Sequence, residues 1–188
     1  MTLILSQSPL SEPITLDEAK AHLRLDHDSE DDLLNSLIAT AREYLESQTQ
    51  LALMTQSWRL CLDNWPTDHC VKLHKSPVQS IDQIEQFDGN GDAQVVSTSE
   101  MLLDSNAHPA RLYINSQSDP EQVINGIEIT FTAGFHSASE VPDMLKRALL
   151  IHIAQMYEFR GVVSPSMQPA AVPNGYAALI NPWVRRSI

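Results

Sequence analysis

Two histidines and four aspartates lie close together in the stretch HLRLDHDSEDD, and these residue types are those of a metal or acid–base site. The histidines are His22 and His27, and the acids are Asp26, Asp28, Asp31 and Asp32. Imidazole nitrogens and carboxylate oxygens bind the catalytic metal of many hydrolases. One hypothesis is therefore a small metal-dependent hydrolase that uses His22, His27, Asp28 and Asp31.

The same stretch has a structural interpretation, which we favour. The spacing places His22 on a helix and Asp28 in a loop, and no second His/Asp set at metal-ligand spacing follows downstream. Acidic side chains in the first turn of a helix also interact favourably with its macrodipole. We therefore interpret the stretch as the junction of two helices and predict no catalytic residue, no metal and no cofactor.

The other reactive or metal-binding side chains form no recognisable site. Residues 88–92, Asp-Gly-Asn-Gly-Asp, begin like a calcium loop, but Ala93 replaces the required glycine and Ser99 the terminal glutamate. Cys61 and Cys70 lack the close spacing of a redox or zinc motif. The sequence contains no glycine-rich phosphate loop and no glycine-flanked serine elbow. These observations argue against an enzyme.

The composition indicates a folded, acidic protein. The 188 residues are 43% hydrophobic, and no apolar run approaches the roughly 18 residues of a membrane span. The formal net charge of -12 argues against a sequence-reading nucleic-acid binder, because neutralising phosphates requires a concentrated Lys/Arg surface. The absence of a secretory signal and the low cysteine content predict synthesis in a reducing cytoplasm and no membrane partner.

Charge is unevenly distributed along the chain. From residue 12 to residue 46, ten acids stand against three Lys or Arg, whereas from residue 144 onwards Glu158 is the only acid against five Lys or Arg. Such ends could attract each other in neighbouring copies and steer a head-to-tail ring. A monomer whose two ends neutralise each other would explain the same distribution.

Two helices are predicted near the start of the chain. Thr15 and Glu18 have the spacing of a capping box, which predicts a short helix over residues 15–25. Serine is typical of a helix N-terminus, so Ser29 predicts the start of a second helix. Apolar residues then recur at helical spacing over residues 30–50. The histidine and aspartate stretch therefore lies across a helix-loop-helix.

After the second helix the apolar period changes to two. Trp58, Leu60 and Leu62 alternate with other residue types, as in a half-buried strand. Together with glycine- and asparagine-rich turns, this pattern predicts an antiparallel β insertion over residues 55–135. The further strands expected are 71–74, 80–87, 94–97, 111–114 and 126–133.

The last part of the chain combines a helix with an arm. Pro142 suits a first helical turn, and Gly161 suits a helix end, which bounds a helix near 142–160. Residues 162–188 hold four of the eleven prolines and predict an extended arm with one short turn near 176–180.

The expected fold is α+β, a mainly helical core of three or more helices with an antiparallel β insertion and an extended C-terminal arm. Residues 1–161 are expected to form one domain.

Three residues at the end of the arm have the types enriched at protein interfaces. Trp183, Arg185 and Arg186 combine an aromatic side chain with two cations. A tryptophan so near the end of a chain would expose a large apolar area without a partner. A protein interface and a frayed tail are both compatible with this pattern.

Several segments, in this order, resemble the tailed-phage head-tail connector (adaptor) family. ITLDEAKAHLRLD and DDLLNSLIATAREYLESQT are similar to that family's N-terminal helix pair, and ALMTQSWRLCLDNWP to the segment leading into its β insertion. KLHKSPVQSIDQIEQFDGNG resembles a strand and turn, ITFTAGF the last strand, and VPDMLKRALLIHIAQMYEFR the C-terminal core helix. The resemblance covers residues 13–161, and the arm is similar only in being long and irregular.

The resemblance implies a structural protein, without enzymatic activity, of a tailed phage, prophage or gene-transfer particle. It implies a ring, a dodecamer in the particle, beneath the portal. This ring would extend the DNA channel and join the head to a stopper or tail-completion protein, and DNA would pass through without specific binding. In such proteins the arm can grip the portal, so Trp183, Arg185 and Arg186 are expected portal contacts. The expected location is the virion, after synthesis in the bacterial host cytoplasm.

Two other functions are compatible with the sequence. The hydrolase hypothesis predicts a bound metal and loss of activity on His27→Ala. An acidic monomeric adaptor unrelated to phage predicts no ring under any condition. If residues 12–46 faced the channel of a ring, their acids would repel DNA and let it slide past.

Overall fold

Eight strands and four helices make up the part of the chain that the computed structural model describes, residues 1–98, 101–114, 118–159 and 174–184. The strands are β1 (Thr2–Gln7), β2 (Gln56–Leu62), β3 (Cys70–Leu73), β4 (Val78–Phe87), β5 (Ala93–Val95), β6 (Leu102–Asp104), β7 (Ala110–Tyr113) and β8 (Ile127–Ala133). The helices are α1 (Leu16–Leu23), α2 (Asp31–Thr49), α3 (Asp143–Glu158) and α4 (Asn174–Ile180). The chain divides into two compact units.

The first unit, Met1–Leu10 with Met54–Phe135, contains the strands. Five of them form a sheet in the order β1-β2-β8-β4-β5, and three form a second sheet in the order β3-β7-β6. Neighbouring strands pair antiparallel throughout both sheets. The predicted antiparallel β region is therefore confirmed.

The register of the larger sheet follows from alternating apolar and polar side chains. On β8, Ile127, Ile129 and Phe131 are fully buried, while the residues between them are half-buried. Because successive side chains of a strand point to opposite faces, one face of β8 lines a core. Leu60 of β2 pairs with Ile129 and is also fully buried. Such apolar cross-strand pairs stabilise a sheet.

The second unit, Ser11–Leu53 with His136–Ile188, contains the four helices. Its core side chains recur every three to four residues, which places them on one stripe of each helix. Within the described residues, no helix combines the length and the hydrophobicity that crossing a bilayer requires. The buried apolar residues of α2 and α3 are Leu34, Ile38, Ala41, Leu45, Leu145, Ala148, Leu149 and Ile153.

The prediction of a mainly helical core is wrong. Only 30% of the described residues are helical. The β region buries large side chains of its own, including Leu60, Ile84 and Phe131, so it forms a core and not merely an insertion on a helical one. Period-two burial on paired strands places these side chains on one face of their sheet.

The start of α1 confirms the predicted capping box. The Thr15 side chain accepts a hydrogen bond from the Glu18 amide at 3.1 Å, and Glu18 Oε2 accepts from the Thr15 amide at 2.7 Å. This hydrogen bond from the Thr15 amide is the main reason that the pKa of Glu18 lies below its ordinary value. Two amides without an intrahelical acceptor are thereby satisfied.

The prediction that Ser29 starts α2 is wrong. The N-cap residue is Glu30, which makes no side-chain capping hydrogen bond. The Ser29 hydroxyl instead lies 2.9 Å from His27 Nδ1. A serine hydroxyl can bond a nearby side chain as readily as a helix amide.

Thr15→Ala is expected to lower the free energy of unfolding by about 1 kcal/mol, because it removes the acceptor of the Glu18 amide. Ser29→Ala is the matched control and is expected to change it by less than about 0.5 kcal/mol, since its hydroxyl caps no helix. Urea unfolding of the two variants beside the unsubstituted chain gives both values. A loss from Ser29→Ala as large as that from Thr15→Ala would contradict this assignment.

Candidate interaction surfaces

Lys20 holds together the acidic stretch between α1 and α2. Its Nζ atom lies 2.5 Å from Asp28 Oδ1 and 2.9 Å from Asp31 Oδ1. The hydrogen bond to Asp28 is the main reason that the pKa of Lys20 is raised, and the same bond lowers the pKa of Asp28. Both aspartates of the hydrolase hypothesis therefore form salt bridges with Lys20.

The two histidines of the stretch do not complete a metal site either. His27 contacts the Ser29 hydroxyl. Burial, followed by the nearby charge of Arg147, lowers the pKa of His22. Across the described ranges, no group of three or more His, Cys, Asp or Glu side chains could hold a metal ion. The stretch spans the end of α1 at Leu23 and the start of α2 at Asp31, as the helix-junction interpretation predicts.

A second ion-pair network neutralises part of the acidic N-terminal region from within. Arg42 is buried, and its Nε lies 2.8 Å from Glu12 Oε2. Its other nitrogens lie 3.3 Å from Glu46 Oε2 and 3.6 Å from Glu43 Oε1. These carboxylates therefore contribute less to a repulsive outer surface than the sequence count suggests.

Cys61 lies in a strand, and the 88–92 turn is closed by its own hydrogen bonds. Cys61 is buried on β2, and burial is the main reason that the pKa of its thiol is raised. A raised pKa lowers the thiolate fraction and hence the reactivity of a thiol. Asp88 Oδ1 accepts from the amides of Asn90 at 2.8 Å and Asp92 at 2.9 Å, which closes the turn predicted from the glycine and asparagine content.

The loop before β8 carries two exposed aliphatic side chains. Val123 is 81% exposed and Ile124 is 69% exposed. The Gln122 side-chain amide donates to the carbonyls of Ile124 and Asn125 at 2.8 and 3.2 Å. The Asn125 amide donates to Asp63 Oδ1 at 2.9 Å. We call residues 121–125 the apolar tip, and these bonds fix its conformation.

The surroundings of the apolar tip are acidic. Glu121 Oε2 accepts from the Gly89 amide at 3.1 Å, which joins the tip to the 88–92 turn. Asp92 and Asp119 are exposed in the same turn and loop. Between Lys75 and Lys146, Arg111 is the only Lys or Arg in the sequence, and it pairs with Asp104 at 2.6 Å. The loop that carries the two aliphatic side chains, and the turn joined to it, are therefore acidic.

The described part of the C-terminal arm packs against the helices of its own unit. Tyr176 of α4 is 1% exposed, with its ring centroid 5.4 Å from His152 and 6.1 Å from Tyr44. Burial is the main reason that the pKa of Tyr176 is raised, and burial lowers the pKa of His152. The short turn expected near residues 176–180 is thus a helix anchored by one aromatic residue.

Of the three predicted interface residues, the structure describes only Trp183. Its backbone amide donates to the Ile180 carbonyl at 2.8 Å. Its ring is half-buried, and its buried Nε1 has no hydrogen-bond partner among residues 1–98, 101–114, 118–159 and 174–184. Arg185 and Arg186 lie outside the described residues. An interface at these three positions stays a prediction.

Comparison with known proteins shows what the chain is similar to. Residues 13–86 match the family model of the phage gp6-like head-tail connector protein. Over its whole length the chain is also similar to a solved chain in the virion of a native gene transfer agent (GTA) particle, with a TM-score of 0.81, 28% identity, and coverage of 100% of this chain and 97% of that one.

These similarities support a structural head-tail connector role for the chain. Two further solved chains similar to the connector come from GTA particle necks. One is from the neck of an empty particle computed with C6 symmetry, with a TM-score of 0.81 and 27% identity. The other is from the neck of a native particle computed with C12 symmetry, with a TM-score of 0.80 and 27% identity. Each match covers 100% of the connector and 97% of the solved chain. No curated protein matches the connector significantly.

Sequence reasoning missed two features of the connector. The apolar tip has no periodicity, and only the adjacent Val123 and Ile124 in an otherwise polar loop could have indicated it. The ring cluster of Tyr44, His152 and Tyr176 joins three helices that are far apart in sequence. Single aromatic residues on amphipathic helices do not reveal which distant ring they contact.

Proposed function

We propose that this structural protein forms a closed ring, a dodecamer in the particle, that connects head and tail beneath the portal. The observation that carries the proposal is the similarity over the whole chain to a chain in the neck of a native GTA particle computed with C12 symmetry. Most closed rings of identical subunits require two different surfaces on each copy, one meeting the other. The same similarity supports a location in the virion.

The ring extends the DNA channel and joins the portal to a stopper or tail-completion protein. DNA passes through it without specific binding, which the net charge of -12 supports. The connector is made in the bacterial host cytoplasm and catalyses no reaction. These finer assignments extend the family's connector role to this chain.

The C-terminal arm, residues 162–188, contacts the portal, and residues 1–161 act as one domain. Trp183 is the arm residue best suited to this contact, because it is an aromatic residue that is only half-buried in the described chain. Arg185 and Arg186 are proposed to act beside it through their charge.

The first test of the proposal measures the mass of the connector and the products of assembly without it. Light scattering after size exclusion, across protein concentration, is expected to show growth from the 21.0 kDa chain towards a twelvefold mass. A host that produces the particle but lacks the connector is expected to accumulate DNA-filled heads without tails. Tailed particles formed in that host would contradict the proposed function.

The portal contact is tested by complementing the same host with variants. Trp183→Ala is expected to reduce tailed particles by about tenfold, equivalent to about 1.4 kcal/mol of binding, while the variant still forms rings. Asn181→Ala is the matched control, since Asn181 is exposed on the same segment, and it is expected to restore tailed particles fully. Equal yields from the two variants would remove Trp183 from the contact.

A further inference from the structure

The apolar tip has the properties of a preformed binding element. Val123 and Ile124 are adjacent and largely exposed, although water disfavours such an arrangement. The Gln122 side chain and Asp63 hold the backbone around them in one conformation. A loop already fixed in its bound shape loses little entropy on binding. An exposed apolar pair held in this way is typical of a surface that a partner covers.

The carboxylates around the tip determine which kind of partner fits. Asp119 and Glu121 shortly precede the two aliphatic residues in the chain, and Asp92 lies in the 88–92 turn that Glu121 contacts; all three are exposed. Among the described residues, none of these three carboxylates forms a salt bridge. A complementary surface therefore combines apolar side chains with Lys or Arg.

The N-terminal half of α3 provides a surface with this chemistry. Met144 is 42% exposed, Arg147 is exposed, and Ile151 is half-buried. Their spacing of three and four residues places them on one side of the helix. Lys146 is half-buried on the next side of the same turn. We call Met144, Lys146, Arg147 and Ile151 the α3 face.

The two cations of the α3 face are available for a partner. Within the described ranges, neither Lys146 nor Arg147 forms a salt bridge. Lys146 acts on Glu18 only as a minor influence that lowers the pKa of that carboxyl. Arg147 similarly lowers the pKa of His22. Positive charge beside exposed Met144 complements the acidic surroundings of the tip.

We infer that the apolar tip of one copy docks on the α3 face of a second copy. Val123 and Ile124 pack against Met144 and Ile151 of the second copy, and the acidic groups of the tip face its cations. The contact joins two different surfaces, so each copy binds one neighbour through its tip and another through its α3 face. Repetition of such a contact closes a ring when the rotation between neighbouring copies returns to the first copy. The inference rests on the proposed function and names the surfaces that assemble it.

Cysteine trapping between two full-length chains tests this contact. One chain carries Val123→Cys and the other Met144→Cys, both carry Cys70→Ser, and tags of different mass identify each chain. Mild oxidation of the mixture is expected to give a disulfide-linked heterodimer. The matched control pairs Met144→Cys with Ser6→Cys, an exposed position on β1, and is expected to give about tenfold less product. Equal trapping of the two mixtures, or no heterodimer in either, overturns the inference.

A charge exchange tests the electrostatic part of the contact. Arg147→Glu in the Met144→Cys chain is expected to reduce trapping by about fivefold, because it places acid against acid. Asp119→Lys in the Val123→Cys chain is expected to restore trapping with the Arg147→Glu partner. A loss that Asp119→Lys does not rescue would overturn the proposed pairing.

These outcomes separate the contact from the connector function. Absence of trapping while particles still need the chain for tail attachment would overturn the contact and leave the function standing. Specific trapping in a chain that particles assemble without would overturn the function and leave the contact standing. Both results come from the same set of variants.

Discussion

Gly134→Ala is expected to lower the free energy of unfolding by about 4 kcal/mol or more, enough to unfold a marginally stable domain. Gly134 has a φ of +121°, a conformation that residues with a side chain rarely adopt. A β-carbon at this position would lie 2.1 Å from the Met54 carbonyl oxygen and 2.4 Å from its carbonyl carbon. Because both atoms belong to the backbone, no rotation of a side chain could relieve the clash.

The surroundings of Gly134 explain why the chain cannot simply move aside. Its amide donates to the Pro77 carbonyl at 2.8 Å, and its carbonyl accepts from the Gln79 side chain at 2.7 Å. A shift that made room for a methyl group would break these bonds at the end of β8. The glycine of the ITFTAGF segment is therefore needed for close approach of two backbones.

Gly175→Ala is the control for this substitution. Nothing lies within 4 Å of the position that its β-carbon would take. Because Gly175 lies in α4, alanine is expected to leave stability unchanged or raise it by up to about 1 kcal/mol. Urea unfolding followed by tryptophan fluorescence compares the two variants. A loss of less than about 1 kcal/mol for Gly134→Ala would show that the Met54 backbone moves aside.

Local signals were sufficient to predict most of the secondary structure. The Thr15 and Glu18 capping box marked the start of α1, because both of its bonds are made within four residues. The strict alternation on β8 predicted a strand within one residue of its observed bounds. Patterns of this kind indicate which face of a segment is buried, and they can be recognised from the sequence of that segment alone.

Features that depend on distant contacts could not be predicted. β1 has little alternation, because as the outer strand of its sheet it exposes Ile4 and Leu5. β6 has only three residues, too few to show a period. Both strands exist because a neighbouring strand pairs with them, and the sequence of one strand does not identify its partner.

Only part of the candidate interface could be predicted from the sequence. Trp183 could be selected by residue type, but its half-buried ring depends on where α4 packs. The apolar tip escaped notice because exposed aliphatic residues have no local signature. Arg42 was one of the three cations in the charge count over residues 12–46, which could not show that in the structure it is buried with carboxylates from two parts of the chain.

The carboxylate of Glu46 satisfies two buried groups at once. Its Oε1 accepts from the Leu53 amide at 2.7 Å, and its Oε2 lies 3.3 Å from Arg42 Nη1. Glu46 and Arg42 are each only 5% exposed. Removing Glu46 takes from the buried Arg42 its most buried carboxylate partner and leaves it with Glu12 and the exposed Glu43, and a buried charge that loses a partner is strongly destabilising. The Leu53 amide would lose its acceptor as well.

Glu46→Ala is therefore expected to lower the free energy of unfolding by about 3–5 kcal/mol. Glu43→Ala is the matched control: Glu43 also approaches Arg42, at 3.6 Å, but its side chain is 70% exposed, so the expected loss is below about 1 kcal/mol. Glu46→Gln keeps an acceptor for the Leu53 amide, so its expected loss lies between those of Glu43→Ala and Glu46→Ala. Urea unfolding gives all three values. Equal losses from Glu43→Ala and Glu46→Ala would mean that proximity to Arg42, and not burial, determines the energy of this network.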